Sequence, residues 1–146
     1  MADLAATLRA ALVTARKAQN KDRTLVLGTI LANLKNRELE LHRPPADDDV
    51  VDVLRKGVKL RREAVEQYQK AGRQDLADVE TAQIRVLEEF LPAPADPTEI
   101  RAAVREAIAG GARDLGKVMG TVLPRFKGRA DGKVVNQIVR EELAAG

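Results

Sequence analysis

Residues 47–90 read DDDVVDVLRKGVKLRREAVEQYQKAGRQDLADVETAQIRVLEEF, and this stretch decides the fold class. Val51, Leu54, Val58, Val65 and Tyr68 recur at helical spacing, the signature of a helix with one apolar stripe. Asp47, Asp48 and Asp49 open it, where carboxylates satisfy free amides and oppose the positive dipole end. Ala71-Gly72 reads as its stop, glycine supplying the left-handed residue that ends many helices. A second helix follows from about Gln74 to Phe90, with Leu76, Val79, Gln83, Leu87 and Phe90 in register. Two long helices with so short a break between them make an antiparallel hairpin.

Working outward, the preceding residues supply two more helices. One is expected from about Ala2 to Gln19, carrying Leu4, Leu8, Ala11, Leu12 and Ala15 on one face; the other runs from about Asp22 to Leu41, carrying Leu27, Ile30, Leu31, Leu34 and Leu41. Asn20-Lys21-Asp22 is the break between them, and Pro44-Pro45 ends the second, since proline removes an amide donor and clashes with the preceding turn. On the C-terminal side, Leu91-Pro92-Ala93-Pro94-Ala95-Asp96-Pro97 contains three prolines in the six positions 92–97, a short stiff connection. The expected organisation is a four-helix N-terminal region over 1–91, a linker over 92–97 and a three-helix bundle over 98–146. In that bundle Asp96-Pro97-Thr98-Glu99 resembles a capping box with Asp as the cap. Ile100, Val104 and Ile108 line its first helix, which Gly110-Gly111 ends. Asp114 opens a helix with Leu115, Val118, Met119 and Val122, which runs up to Pro124, and Asp131 opens one with Val134, Val135, Ile138 and Val139. No strand pattern occurs, so the class is all-α.

Composition narrows the chemistry. The chain of 146 residues has no Cys and one His, His42, which excludes disulfides, thiolate metal sites and a Cys nucleophile and argues against a His-based triad. Neither a metal nor a cofactor is expected. Aromatics are 2% of residues: Tyr68, Phe90 and Phe126. The core must therefore be aliphatic, and base-stacking platforms of the kind many RNA-binding modules use are disfavoured. The longest uncharged run, Thr24 to Leu34, falls short of the roughly 20 residues that span a bilayer. No secretory leader pattern is visible, and the composition suits the cytoplasm.

Charge is unevenly spread. The net charge is +3. Between residues 113 and 140, however, Arg113, Lys117, Arg125, Lys127, Arg129, Lys133 and Arg140 face only Asp114 and Asp131. The densest part is the loop Pro124-Arg125-Phe126-Lys127-Gly128-Arg129-Ala130-Asp131-Gly132-Lys133. Lys and Arg can neutralise phosphates, and Gly128 and Gly132 let the backbone approach a partner. The competing reading is a solvated basic loop. It lacks the GxxxxGK[ST] spacing of a nucleotide-binding loop and follows a helix rather than a strand. A second cluster, Arg55, Lys59 and Arg62, shares one helical face, where pairing with nearby acids is the simpler account. Paired carboxylates such as Asp75 with Asp78, Glu88-Glu89 and Glu141-Glu142 sit at helix starts and surfaces rather than in an apolar cleft that would raise their pKa for acid–base work.

Several of these stretches together resemble the YqeY-like family. They are Glu38-Leu39-Glu40, the acidic start at Asp47, Lys59-Leu60-Arg61-Arg62-Glu63-Ala64, Lys70-Ala71-Gly72-Arg73-Gln74-Asp75-Leu76-Ala77, and Phe90-Leu91-Pro92. To these are added Gly116-Lys117-Val118-Met119-Gly120, Pro124 and the run from Lys127 to Lys133. The family is related to the C-terminal tail of the GatB subunit of tRNA-dependent amidotransferase, which converts glutamyl- or aspartyl-tRNA to the amide. The resemblance implies a stand-alone, non-catalytic tRNA-binding homologue of that tail, with Arg113, Lys117, Arg125, Lys127, Arg129 and Lys133 facing tRNA. Amidotransferase or synthetase subunits are the implied protein partners. A carbon–nitrogen ligase activity with glutamine as amido donor follows only from the resemblance, because no nucleotide loop, amidase Ser-Lys set or metal cluster is present to perform it. Two positions depart from the family. Ala46 stands where Ser or Thr is usual, so Asp47 is expected to take over the cap; Gly132 stands where GatB tails tend to have proline. The alternative function is a protein–protein adaptor acting through the hairpin.

Overall fold

A computed structural model describes residues 3–146. Among them are seven α-helices: α1 Leu4–Lys17, α2 Lys21–Leu41, α3 Asp47–Lys70, α4 Gln74–Glu88, α5 Pro97–Ala109, α6 Leu115–Val122 and α7 Gly132–Ala145. A single 3-10 turn, Leu123–Phe126, continues α6, and no strand occurs among the described residues. The chain is all-α. The start expected for α1 at Ala2 lies outside the described residues. Packing divides the chain into two compact units, Met1–Leu91 and Pro92–Gly146, each with its own core.

The first unit is organised by the α3–α4 hairpin. Arg73 N donates to Tyr68 O at 2.8 Å and Gly72 N donates to Gln69 O at 3.1 Å. With Gly72 at φ 70°, this is the paired-bond stop that a left-handed residue makes possible. The same bond pattern ends α1, where Asn20 N meets Ala15 O, but there Gln19 takes the left-handed position at φ 56°. Leu8, Leu27, Ile30, Leu34, Val50, Leu54 and Leu87 are completely or almost completely buried, an aliphatic core as the scarcity of aromatics requires. The register expected for α4 holds at Leu87, which is fully buried, and at Phe90, which packs against the core, but not at Val79, which is 53% exposed; Ala77 and Ile84 take the other buried positions. Gln83 accepts from Arg61 Nε at 2.9 Å, so it bridges the hairpin rather than filling it.

Asp47 does not cap its own helix. The cap of α3 is Ala46, whose amide donates to Asp49 Oδ2 at 2.8 Å while its carbonyl accepts from Asp49 N at 3.0 Å. Asp47 Oδ1 instead accepts from Leu4 N at 2.9 Å, satisfying an amide of α1's first turn. A residue with no side-chain acceptor at the cap is thus covered by the carboxylate three positions on.

In the second unit α5, α6 and α7 enclose Ile100, Val104, Val118, Val122, Phe126, Val135, Ile138 and Val139. Val134, expected on that stripe, is 45% exposed. Residues 92–97 are tied to this unit: Ala95 N donates to Arg129 O at 2.8 Å, and Arg129 Nε donates to Ala93 O at 3.2 Å. The Asp96 carboxylate caps α5 through Thr98 N at 2.7 Å.

Candidate nucleic-acid interface

The basic segment begins in the turn that holds Arg113 and runs through α6, the 3-10 turn and the start of α7. Each helix start is fixed by an aspartate: Asp114 Oδ1 accepts from Lys117 N at 2.9 Å, and Asp131 Oδ1 from Lys133 N at 3.0 Å. Between them Phe126 is buried in the core and anchors the loop. Arg129 N donates to Phe126 O at 2.8 Å. Lys127 lies at φ −55°, ψ 126° and Gly128 at φ 79°. These are the angles of a type II turn, whose third residue must take a positive φ and is therefore normally glycine. Gly128 serves the turn's own shape. Gly132, by contrast, is the first residue of α7 and has no positive φ; a Cβ there would meet nothing within 4 Å.

The cations fall into different environments. Arg129 grips Glu99 through two bonds, Nη1 to Oε1 at 2.9 Å and Nη2 to Oε2 at 3.0 Å, while its Nε holds Ala93 O. This bidentate pairing raises the Arg129 pKa above its usual value, chiefly through the hydrogen bonds to Glu99. Glu99 therefore does not complete the capping box expected at the start of α5. Arg125 Nη1 lies 3.2 Å from Glu106 Oε2. Glu99 and Glu106 are seven residues apart on α5, roughly two helical turns, so Arg125 and Arg129 are drawn to opposite ends of that helix. Lys117 Nζ lies 4.0 Å from Asp114. Lys127, Lys133 and Arg113 are exposed. Arg140, outside the candidate set, donates to Asn136 Oδ1 at 2.7 Å.

One open groove is built by part of this set. It lies between the C-terminal end of α5 and α6, encloses about 550 Å³, and is lined among others by Lys117, Thr121, Arg125, Glu106 and Gly111. Lys117, Thr121 and Arg125 recur every four residues, so the α6 stripe continues into the 3-10 turn. Sequence reading missed Glu99, Glu106 and Thr121. Their signal is topological: α5 and α6 are neighbours in a three-helix unit, so acids on α5 face the basic segment. Around these residues the second unit carries nine Lys and Arg against seven Asp and Glu, a net of +2. The positive excess seen between residues 113 and 140 is largely offset by acids of α5 and α7.

Fold and turn together define an all-helical chain whose C-terminal unit displays a constrained basic turn. A model of the Yqey-like protein family matches residues 5–143. The chain belongs to the Yqey-like family. Among its relatives is an uncharacterized protein of Schizosaccharomyces pombe, 37% identical over 90 residues, covering 62% of this chain and 73% of that protein. A protein of Pyrenophora tritici-repentis named altered inheritance of mitochondria protein 41, mitochondrial, is 30% identical over 145 residues, covering 94% of this chain and 80% of its own. Its namesake in Eremothecium gossypii is 29% identical over 92 residues, covering 62% of this chain and half (50%) of its own. Among the described residues, no helix is long and apolar enough to cross a membrane.

Proposed function

We propose that this chain is a non-catalytic tRNA-binding module associated with tRNA-dependent amidation. The observation that carries this reading is the placement of Arg125, Lys127 and Lys133 at exposed positions in and beside a turn whose shape Gly128 and the buried Phe126 fix, with Arg113 and Lys117 exposed further back, at the start of α6. A fixed turn presents charges without the ordering cost a floppy loop would incur on binding. Arg129, bound to Glu99 and Ala93, acts in this reading by holding the turn in place. Gly132 contributes an unobstructed backbone at the start of α7. Binding is then driven by phosphate contacts and weakens steeply with salt, by roughly 0.7 to 0.9 in log–log slope per contact.

The test is fluorescence anisotropy of bulk deacylated tRNA with the full chain at low and near-physiological salt, beside a variant with Arg125, Lys127 and Lys133 changed to Ala. Salt-sensitive binding that is lost in the variant while its circular dichroism stays helical is the expected result. Salt-independent affinity, or none at low salt, sinks the proposal. In the latter case a pull-down using the α3–α4 hairpin as bait tests the adaptor reading, with amidotransferase or synthetase subunits as the partners sought. Of the hairpin's exposed apolar residues, Leu60 and Val79, Val79 lines an open groove of about 500 Å³ beside Val26, Ala82 and Val86, the surface of the hairpin on which the adaptor reading would rest. A part in amidation itself is tested by asking whether the chain restores amide formation to a tail-less GatB. The proposed location is the cytoplasm; the mitochondrial designation of two relatives makes cell fractionation the deciding measurement.

A further inference from the structure

Resting on the tRNA reading, we infer that the groove between α5 and α6 holds phosphates of the RNA backbone between Lys117 and Arg125, and that Glu106 competes with those phosphates for Arg125. Three observations converge. The groove is open and lined on one side by Lys117, Thr121 and Arg125 in a single stripe. Its other wall is the end of α5, where Gly110 and Gly111 carry no side chain, so a bulky polyanion meets backbone rather than a steric barrier. Within it, the only carboxylate of the lining is Glu106, 74% exposed on its side chain and 3.2 Å from Arg125.

A carboxylate and a phosphodiester offer a guanidinium the same kind of acceptor pair. Between exposed partners the carboxylate contact is weak, so a phosphate that also meets Lys117 displaces it. Glu106 thereby lowers affinity and sets a threshold: only a ligand that engages both cations outcompetes it. Arg129 differs in kind. Its pair with Glu99 is bidentate and backed by Ala93 O, so it stays engaged within the protein.

The experiment uses the full chain and bulk tRNA, comparing Glu106→Gln, Lys117→Ala and Glu141→Gln. The last makes the same charge change on α7, where Glu141 serves Arg101 and does not line the groove. We expect Glu106→Gln to tighten binding about two- to fivefold beyond Glu141→Gln. Lys117→Ala should weaken binding and lower the salt slope by about 0.7. Inorganic phosphate should compete no better than chloride at equal ionic strength. If Glu106→Gln matches Glu141→Gln and Lys117→Ala is silent while wild-type binding remains salt-sensitive, the groove assignment falls and the tRNA reading stands. Saturable displacement of tRNA by inorganic phosphate overturns the backbone assignment in favour of a free-phosphate site. Failure of the wild type to bind at low salt overturns both.

Discussion

Gly57 shows how one residue sets the spacing of the first unit. A methyl at this position would come within 2.8 Å of Ile30 Cδ1 and 3.3 Å of Leu87 Cδ1, and both side chains are fully buried. Alanine would gain about 1 kcal/mol of helix propensity, but crowding a closed core costs about 1–3 kcal/mol. Gly57→Ala should therefore lower stability in urea denaturation. Ile30→Val alone should cost about 0.5–1.5 kcal/mol, yet in the Gly57→Ala background it removes the clashing carbon and its cost should vanish. Strict additivity across this four-member cycle would sink the steric account. Asp49 gives a prediction in pH. The Arg43 guanidinium, and then the Ala46 amide, hold its carboxyl below the usual carboxylate range. A depressed folded value means that its stabilisation is present above the unfolded pKa and disappears as pH falls through the folded one. Asp49→Asn keeps an oxygen for the Ala46 amide but loses the charge facing Arg43 and the helix dipole, and should reduce stability by a few tenths to about 1 kcal/mol at neutral pH. The gap to wild type should close on acidification, in denaturation curves taken at both pH values. A gap that stays constant with pH would assign the loss to packing instead of charge.

Helix starts are where the elements respond most directly to sequence. α7 begins at Gly132 after a cap, Asp131, at φ −72° and ψ 137°. That extended conformation is the one a residue before proline prefers, and the first helical position is where proline is best tolerated. Gly132→Pro should stabilise the second unit by about 0.4–1 kcal/mol through the unfolded chain, seen as a higher melting temperature. A lower one would mean that the Gly132 amide is needed. Aspartate caps at positions 96, 114 and 131 were legible in the sequence because each short acid precedes an apolar repeat and acts locally. The start of α3 was legible only in part. Three successive aspartates fit a helix start in any assignment of roles, and their division between α3 and α1 depends on where Leu4 lies. The exposure of Val79 in the first half of α4 was hidden for a related reason: Ala77, small and weakly apolar, takes the buried position, and periodicity alone gives it little weight. The turn at Gly128 could be located from its glycine, whereas the partners of its arginines could not, because Glu99 and Glu106 are distant in sequence and meet the turn only once the second unit has closed.

At the scale of the whole molecule, what matters is where the second unit begins. By composition, residues 92–97 read as a linker, since proline-rich segments resist regular structure. Their hydrogen bonds tell against a free linker: Ala95 and Ala93 are both bonded to Arg129, Asp96 caps α5 and Pro97 starts it. Arg129 in turn holds Glu99, so this strap, the turn and the first turn of α5 are mutually braced. A unit of this size has only about 3–5 kcal/mol of stability to lose. Removing the strap takes away a helix cap and three further hydrogen bonds, Ala95 N to Arg129 O, Arg129 Nε to Ala93 O and Ile100 N to Asp96 O, each worth about 1 kcal/mol, and would leave the remainder near its unfolding midpoint. A fragment of residues 92–146 should therefore show helical circular dichroism and a cooperative thermal transition. A fragment of 98–146 should melt far lower or not be folded at all. Arg129→Met in the longer fragment should fall between the two, because it loses the bonds to Ala93 O and Glu99 while the Ala95 bond to the backbone carbonyl of residue 129 and the cap remain. Indistinguishable melts for the two fragments would return residues 92–97 to the role of a passive linker, and an unfolded 92–146 would mean that the second unit cannot stand without the first.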